Sequence, residues 1–475
     1  MRNGVLLITY PDSLGSDLSS LEKVLSKHFP KAITAVHVLP FYPSSADRGF
    51  APKTYEMVDP VFGNWEDLQK LGKHYDLVFD YMINHISRES EIFQTYLQEG
   101  PDSPLQSLFL DFDAFWGGSI TEEQLDRIYK RKDKAPYEEI RFADGQVRKL
   151  WCTFGEQQID LDTRSRRGLE FLEQNLQSLV RNGAKLIRLD AFAYATKRID
   201  TDCFFVEPEI WELLGHCRAL VEPYGADVLP EIHEHYSLQL KLARNGYPVY
   251  DFALPFLMLN ALYFQQTTYL KGWLEICPRN QFTTLDTHDG IGVVDVFGLL
   301  PPEEIEKTKE HLYAYGANVK RIYNTEKYNN LDIYQINCTY YSALGNNDRS
   351  YLLARAVQFF CPGIPQVYYV GMLAGMNDLK LLEETKEGRN INRHSYSVGE
   401  IEEELARPVV QALRHLMELR STHPAFDGTF VLEQEEDDHL LTISWEYETG
   451  KLFLHADFQS STFTIKEGEK VLMRL

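Results

Sequence analysis

Cysteine is scarce. The six, Cys152, Cys203, Cys217, Cys277, Cys338 and Cys361, are scattered with no CxxC spacing. That pattern argues against a disulfide framework or a zinc site and for single buried thiols in a reducing compartment. Basic residues are outnumbered, with 48 Lys and Arg against 70 Asp and Glu and a net charge of −22. Clustered cations for phosphate backbones are therefore missing, and no nucleic-acid partner is expected; the acidity reads as solubility. No stretch approaches the roughly 20 apolar residues needed to cross a bilayer, so no membrane partner is expected. The opening MRNGVLLITYPDSLG has an apolar run, Val5 to Ile8, shorter than a secretory signal requires, with no small-residue cleavage site after it. A cytoplasmic location follows as the expectation. Short-period repeats and low-complexity tracts are also missing.

What is present is a rhythm. Of the 475 residues 44% are hydrophobic, enough for a full core in a large catalytic domain with additions. Short apolar, β-branched runs occur at Val5–Tyr10, Ala32–Leu39, Leu77–Met82, Lys185–Leu189, Asp227–Ile232, Val249–Leu254 and Phe282–Leu285. A composite stretch at Val357–Val370 is interrupted by Pro362 and Pro365. Runs with little polar alternation suit strands buried on both faces of a parallel sheet. Helical stripes lie between them. Leu18, Leu21, Val24 and Leu25 follow Ser16, read as an N-cap. Leu169, Leu172, Leu176, Leu179 and Val180 precede Gly183, read as a C-cap. Eight alternations of strand and helix predict an α/β fold, a (β/α)₈ TIM barrel, with an open doubly wound sheet as the alternative. Two segments break the rhythm. The predicted organisation is barrel over 1–85, an inserted domain over 86–164, barrel over 165–290, a second insertion over 291–345 and barrel over 346–425. The alternating HLLTISWEY and KLFLHADF then predict a small antiparallel β-domain over 426–475.

Ionisable residues follow the apolar strands. Strand three leads into Asp80, Asn84 and His85, strand four into Arg188 and Asp190, strand five into Glu231 and His233, and strand seven into Asp286, His288 and Asp289. In a barrel these C-terminal ends converge on one mouth, where active sites sit. Any one such residue could be a hydrogen bond at the barrel rim; the whole set at successive strand ends points to chemistry. A retaining glycosyl transfer needs a carboxylate nucleophile and a second carboxyl group acting as acid then base, roughly 5 Å apart. Asp190 and Glu231, on neighbouring strands, can meet that demand. Arg188 shares a strand face with Asp190 and can keep it ionised. Glu231 must carry the proton that the leaving oxygen takes. His85 and His288 supply donors for sugar hydroxyls, and Asp289 can oppose the positive charge of the transition state.

At these residues the sequence resembles the α-amylase family, glycoside hydrolase family thirteen, which carries four motifs at the ends of strands three, four, five and seven. Here they read DYMINH (Asp80–His85), RLDAFAY (Arg188–Tyr194), the Glu231 of PEIHEH, and LDTHDG (Asp286–Gly290). The resemblance implies Asp190 as nucleophile, Glu231 as acid/base and Asp289 as transition-state stabiliser. VYDFALP, LDTHDGIGVVDV, NLDIYQIN, TYYSALG, PGIPQVYYVG and GRNINRH are similar to the subgroup of this family that phosphorolyses sucrose. That likeness implies a glucosyltransferase taking sucrose and inorganic phosphate to α-glucose 1-phosphate and fructose. It further implies that Asp47, Phe50, Phe154 and Gln158 line the glucose subsite and that Tyr194 and His233 flank sugar and acceptor. Arg389, near Asp289, is either a substrate contact or a structural ion pair.

On the acceptor side the resemblance implies a loop carrying Leu331, Asp332, Tyr334 and Gln335. Tyr334 stands where relatives acting on sucrose 6'-phosphate carry histidine, which favours unphosphorylated sucrose. Arg131 and Lys132 lie where the subgroup places a phosphate-binding arginine, and Tyr334 is a further acceptor candidate. Because lysine is a mobile point charge and arginine a fixed fork, the phosphate ligand stays open between them. A phosphorylase for sucrose 6'-phosphate, glucosylglycerate or glucosylglycerol is the alternative, and a hydrolase or a non-catalytic binding subunit are weaker ones. No metal or cofactor is implied. A monomer or homodimer is expected.

Overall fold

The computed structural model describes residues 1–131, 134–317, 335–448 and 450–475. Eight strands carry the core: β1 (Leu6–Thr9), β2 (Ala35–Val38), β3 (Asp76–Met82), β4 (Ala184–Asp190), β5 (Asp227–Pro230), β6 (Val249–Asp251), β7 (Gln281–Thr283) and β8 (Ile364–Tyr368). Each is followed by at least one α-helix before the next strand, and Pro408–Thr422 follows β8. This is the (β/α)₈ TIM barrel expected from the rhythm of apolar runs. The chain divides into two compact units, one of Met1–His37 with the described residues from His233 onward, the other of Val38–Ile232.

In the first unit the strands run in the order β6-β7-β8-β1-β2. The β6–β7, β7–β8 and β8–β1 pairs are parallel, with Val249 opposite Gln281, Phe282 opposite Ile364, and Leu6 opposite Gln366. The helix Leu18–His28 buries Leu18, Leu21, Val24 and Leu25, as their spacing predicts. Its N-cap is Asp17, not Ser16: the Asp17 carboxylate accepts from the Ser20 amide at 2.7 Å. The ionised acceptor also suits the positive helix end. The composite run Val357–Val370 resolves into two elements, the end of the helix Asp348–Phe360 and, after Gly363, strand β8. Five antiparallel strands follow in sequence order, Thr429–Leu432, Leu440–Tyr447, Gly450–Asp457, Thr462–Glu467 and Lys470–Arg474. This sheet packs on the helix Asp348–Phe360, where Trp445 Nε1 donates to the Phe360 carbonyl at 2.9 Å.

The second unit holds β3-β4-β5, all parallel. The helix Arg166–Arg181 starts at Ser165, whose side chain accepts from the Gly168 amide. It buries Leu172, Leu176, Leu179 and Val180, leaves Leu169 half-buried, and ends before Gly183 at φ +106°. Between β3 and β4 the chain builds its own small apolar cores. One packs Phe93, Tyr96, Phe109, Phe142, Leu150 and Ile159, and another Phe112, Trp116 and Trp151. The hairpin Tyr137–Arg141/Val147–Trp151 and the pair His85–Ser87/Gln158–Asp160 frame them. All six cysteines are buried free thiols.

One barrel residue carries a cost. Asp251, the last of β6, is fully buried. Trp273 Nε1 lies 3.1 Å from both of its oxygens and the Leu254 amide donates at 3.0 Å. Burial outweighs these donors and pushes the carboxyl from 3.8 up to about 7. A raised carboxyl pKa means that the folded chain holds a proton the unfolded chain has released. Stability should therefore fall as pH rises from about 4 to about 7, by at most about 4 kcal/mol from this group. Asp251→Asn should gain on the parent by that amount between pH 4 and pH 8 in urea unfolding. Parallel pH curves for the two proteins would remove Asp251 as the source.

Candidate active site

Strand register assembles the first cluster. Asp80 on β3 pairs with Arg188 on β4, and Met82 with Asp190. Leu189 pairs with Pro230, so Asp190 and Glu231 are the next residues along adjacent strands. Parallel neighbours lie about 4.8 Å apart, and period two turns residues 188 and 190 to one face. The Arg188 guanidinium is buried, with its side chain 4% exposed. Its NH1 donates to Asp80 Oδ1 at 2.6 Å and to Asp190 Oδ1 at 2.8 Å, and its NH2 lies 3.8 Å from Glu231 Oε1. Ala191 takes the left-handed conformation (φ +52°), and its amide donates to Glu231 Oε2 at 3.0 Å. One cation thus touches three carboxylates, and a backbone N–H fixes the fourth oxygen of the set.

Beside this cluster His85 sits fully enclosed. Burial pushes its pKa down, against the Phe50 carbonyl and the charges of Asp160 and Asp47. Through Nε2 the ring lies 2.9 Å from the Phe50 carbonyl and 3.1 Å from Gln158 Nε2, and through Nδ1 3.4 Å from Asn84 Nδ2. Gln158 Nε2 donates to the same carbonyl at 3.0 Å. Phe154 meets His85 edge-on at 5.5 Å and Tyr194 at 5.2 Å, and the Phe50 ring lies 5.7 Å from Arg188. Asp47, Arg48 and Gly49 all have positive φ, so the loop bearing Asp47 is tightly turned. An added Cβ on Gly49 would meet the Pro40 carbonyl at 2.5 Å, so glycine is required there. The Tyr194 hydroxyl is held protonated by burial, opposed by the nearby Arg131 charge. Arg131 is thereby placed beside Tyr194, while Lys132 lies outside the described residues.

In the first unit, Asp289 follows β7. Arg389 NH1 lies 3.2 Å from its Oδ1, Arg393 NH2 3.9 Å from the same oxygen, and His288 Nε2 3.6 Å from Oδ2. Asn392 donates to the Asp289 carbonyl at 2.8 Å, and Arg393 Nε to the His288 carbonyl at 2.9 Å. Asp286 is bound by the buried Arg355 at 2.6 Å. His233 stacks on Phe252, ring centroids 3.7 Å apart, and faces Gln335 across 3.2 Å. Leu331, Asp332 and Tyr334 lie outside the described residues.

Several residues found here carry little or no signal in the sequence pattern. Arg393 was visible as the second arginine of GRNINRH, four residues from Arg389, but only the fold puts it behind Asp289. Arg355 lies in a helix that reads as apolar. Lys197 and Asp160 form a buried pair at 2.8 Å, with Lys197 also donating to Asn84 and to the Tyr194 carbonyl. No spacing in the chain links them.

Known proteins give the arrangement a setting. The profile of the alpha-amylase catalytic domain matches residues 31–245. Sucrose phosphorylase of Streptococcus mutans is 52% identical over 474 residues, covering 99% of this chain and 98% of that protein. Glucosylglycerol phosphorylase of Marinobacter adhaerens is 44% identical, covering 98% and 96%. The crystal structure of sucrose 6F-phosphate phosphorylase from Thermoanaerobacter thermosaccharolyticum superposes with a TM-score of 0.94 at 41% identity, covering 100% of this chain and 98% of that one. Likeness of this extent, running through barrel and C-terminal sheet alike, makes the chain a member of the α-amylase family, and within it an enzyme of the glucoside phosphorylase group.

Proposed function

We propose that this enzyme transfers glucose from sucrose to inorganic phosphate, giving α-glucose 1-phosphate and fructose with retention. The observation that carries the mechanism is the sharing of Arg188 between Asp190 and Glu231 at matched positions of β4 and β5. In the first step an Asp190 oxygen attacks the anomeric carbon. The bond to the fructosyl oxygen breaks as Glu231 delivers its proton to that oxygen. Arg188 holds Oδ1 of Asp190, which aims Oδ2 at the carbon. In the second step a phosphate oxygen attacks the glucosyl ester, its proton passes to Glu231, and Asp190 leaves as carboxylate. Two inversions restore the α configuration. Asp289 opposes the oxocarbenium-like charge in both steps. Asp47, Phe50, His85, Phe154, Gln158, Arg188, His288 and Arg389 bind the glucosyl unit. Tyr194, His233, Leu331, Asp332, Tyr334 and Gln335 serve the acceptor side, and Arg131 with Lys132 receives phosphate. Carboxyl groups handle both proton transfers, so the reading needs no metal and no cofactor.

A phosphorylated donor is the second reading, favoured by the cationic run Lys130, Arg131 and Lys132. Parallel product analysis separates the two. Sucrose with phosphate should give glucose 1-phosphate faster than sucrose 6'-phosphate does. A strong preference for the phosphorylated donor would replace the first reading, and free glucose with no phosphate consumed would refute both.

The carboxylates have distinct signatures. Asp190→Asn should lower turnover by on the order of 10⁴-fold or more, because the covalent route is lost. Glu231→Gln should fail with sucrose yet form the glucosyl-enzyme from α-glucosyl fluoride, whose leaving group needs no proton. Stopped-flow release of fluoride reads that first step, and no rescue by fluoride would take the acid role from Glu231.

A further inference from the structure

His233 has a buried carboxylate behind it that the mechanism above does not use. Asp295, in the short 3₁₀ turn Val294–Val296, is 3% exposed. Its Oδ2 lies 3.5 Å from His233 Nδ1. Among the described residues that oxygen accepts no hydrogen bond. A buried carboxylate oxygen facing a lone pair would be costly, so an N–H should face it. The opposite edge of the ring agrees: Nε2 lies 3.2 Å from the amide nitrogen of Gln335, a donor, and must then accept. Stacking on Phe252, with an interplanar angle of 17°, prevents the ring from rotating out of this plane. Gly292 leaves the room, because an added Cβ there would come within 2.0 Å of Asp295 Oδ2.

We propose that Asp295 is a positioning residue that holds His233 in the Nδ1–H tautomer, presenting Nε2 as an acceptor beside Gln335. The link to catalysis rests on the proposed acceptor-side role of His233. Nε2 accepts either directly from an O–H of the departing or entering group, or from the Gln335 amide N–H, which leaves the Gln335 amide oxygen to accept that O–H. Wrong-tautomer imidazole would meet that O–H with a second donor.

The test has two arms. In the full-length enzyme with ¹⁵N-histidine, the His233 signals, identified by their loss in His233→Phe, should report Nδ1–H in the neutral ring. In Asp295→Asn they should move toward the Nε2–H form. The same variant should lose about 10–100-fold in phosphorolysis of sucrose, the range seen when the partner orienting a metal-bound imidazole is removed. Fluoride release from α-glucosyl fluoride in the first turnover should stay within about twofold. Gly292→Ala, which displaces the same carboxylate from the other side, provides the second variant should Asp295→Asn fold poorly, and should shift the tautomer the same way. An Nε2–H signal in the parent enzyme, or a tautomer unmoved in the folded variants, overturns the proposal. The spectroscopic arm uses no substrate, so inactivity of the parent enzyme on sucrose would count against the functional reading alone.

Discussion

A single guanidinium, buried among three carboxyl groups, is the constraint that the strand-end cluster of the second unit depends on. An isolated charge taken out of water costs several kcal/mol, so the buried guanidinium needs carboxyl partners close by. Asp80 and Asp190 meet Arg188 by hydrogen bonds and Glu231 lies 3.8 Å away, and strand register decides whether they do. Asp80 lies opposite Arg188, and Glu231 is one step beyond the Pro230 that pairs with Leu189. Sliding β4 by one residue would turn Arg188 and Asp190 to the other face of the sheet and strand the two partners. The same contacts that stabilise the fold therefore fix Asp190, the proposed nucleophile. Their geometry is set before any substrate arrives, which is the condition for electrostatic stabilisation of a transition state.

The first unit repeats the device with different elements. Asp286 and Asp289, three residues apart after β7, each meet arginine from far along the chain: Arg355 on a helix and Arg389 with Arg393 from the GRNINRH turn. Asn392 and Arg393 also bind backbone carbonyls at 287, 288 and 289, so the turn after β7 is held by main chain as well as by charge. Breaking one member of such a buried set leaves a charge uncompensated, which couples loss of binding to loss of stability.

What the sequence made legible follows from these constraints. Apolar runs ending in Asp80, Arg188 and Asp190 reveal strand ends because period two and a parallel, two-sided burial leave little else to read. The arginines that complete the set were hidden for the opposite reason. Arg355 sits in a helix whose residues Tyr351 to Phe360 are all buried, so its pattern resembles any core helix. That total burial also explains why Val357–Val370 read as one stretch: periodicity cannot separate a buried helix from a buried strand. The helix cap moved from Ser16 to Asp17 because both are good capping residues in sequence, and only the extended backbone at 17 selects between them. The link from Asp295 to His233 was out of reach, since 62 positions separate residues that meet only in the folded unit.

These supports are unequal. Asp190 is held by the buried Arg188 at 2.8 Å, and Asp289 has Arg389, Arg393 and His288 within 4 Å. Around His233 lie the Phe252 ring, the Gln335 amide and, at 3.5 Å, the Asp295 carboxylate. A substitution near Arg188 must preserve charge balance in low dielectric, and few side chains can do so. One near His233 has only to preserve a tautomer and a plane. Selection for a different acceptor would then act through that tautomer and plane, whereas change near Arg188 acts through charge. The division of labour between an ionic centre and an imidazole set by tautomer and plane is thus a physical consequence of what surrounds each.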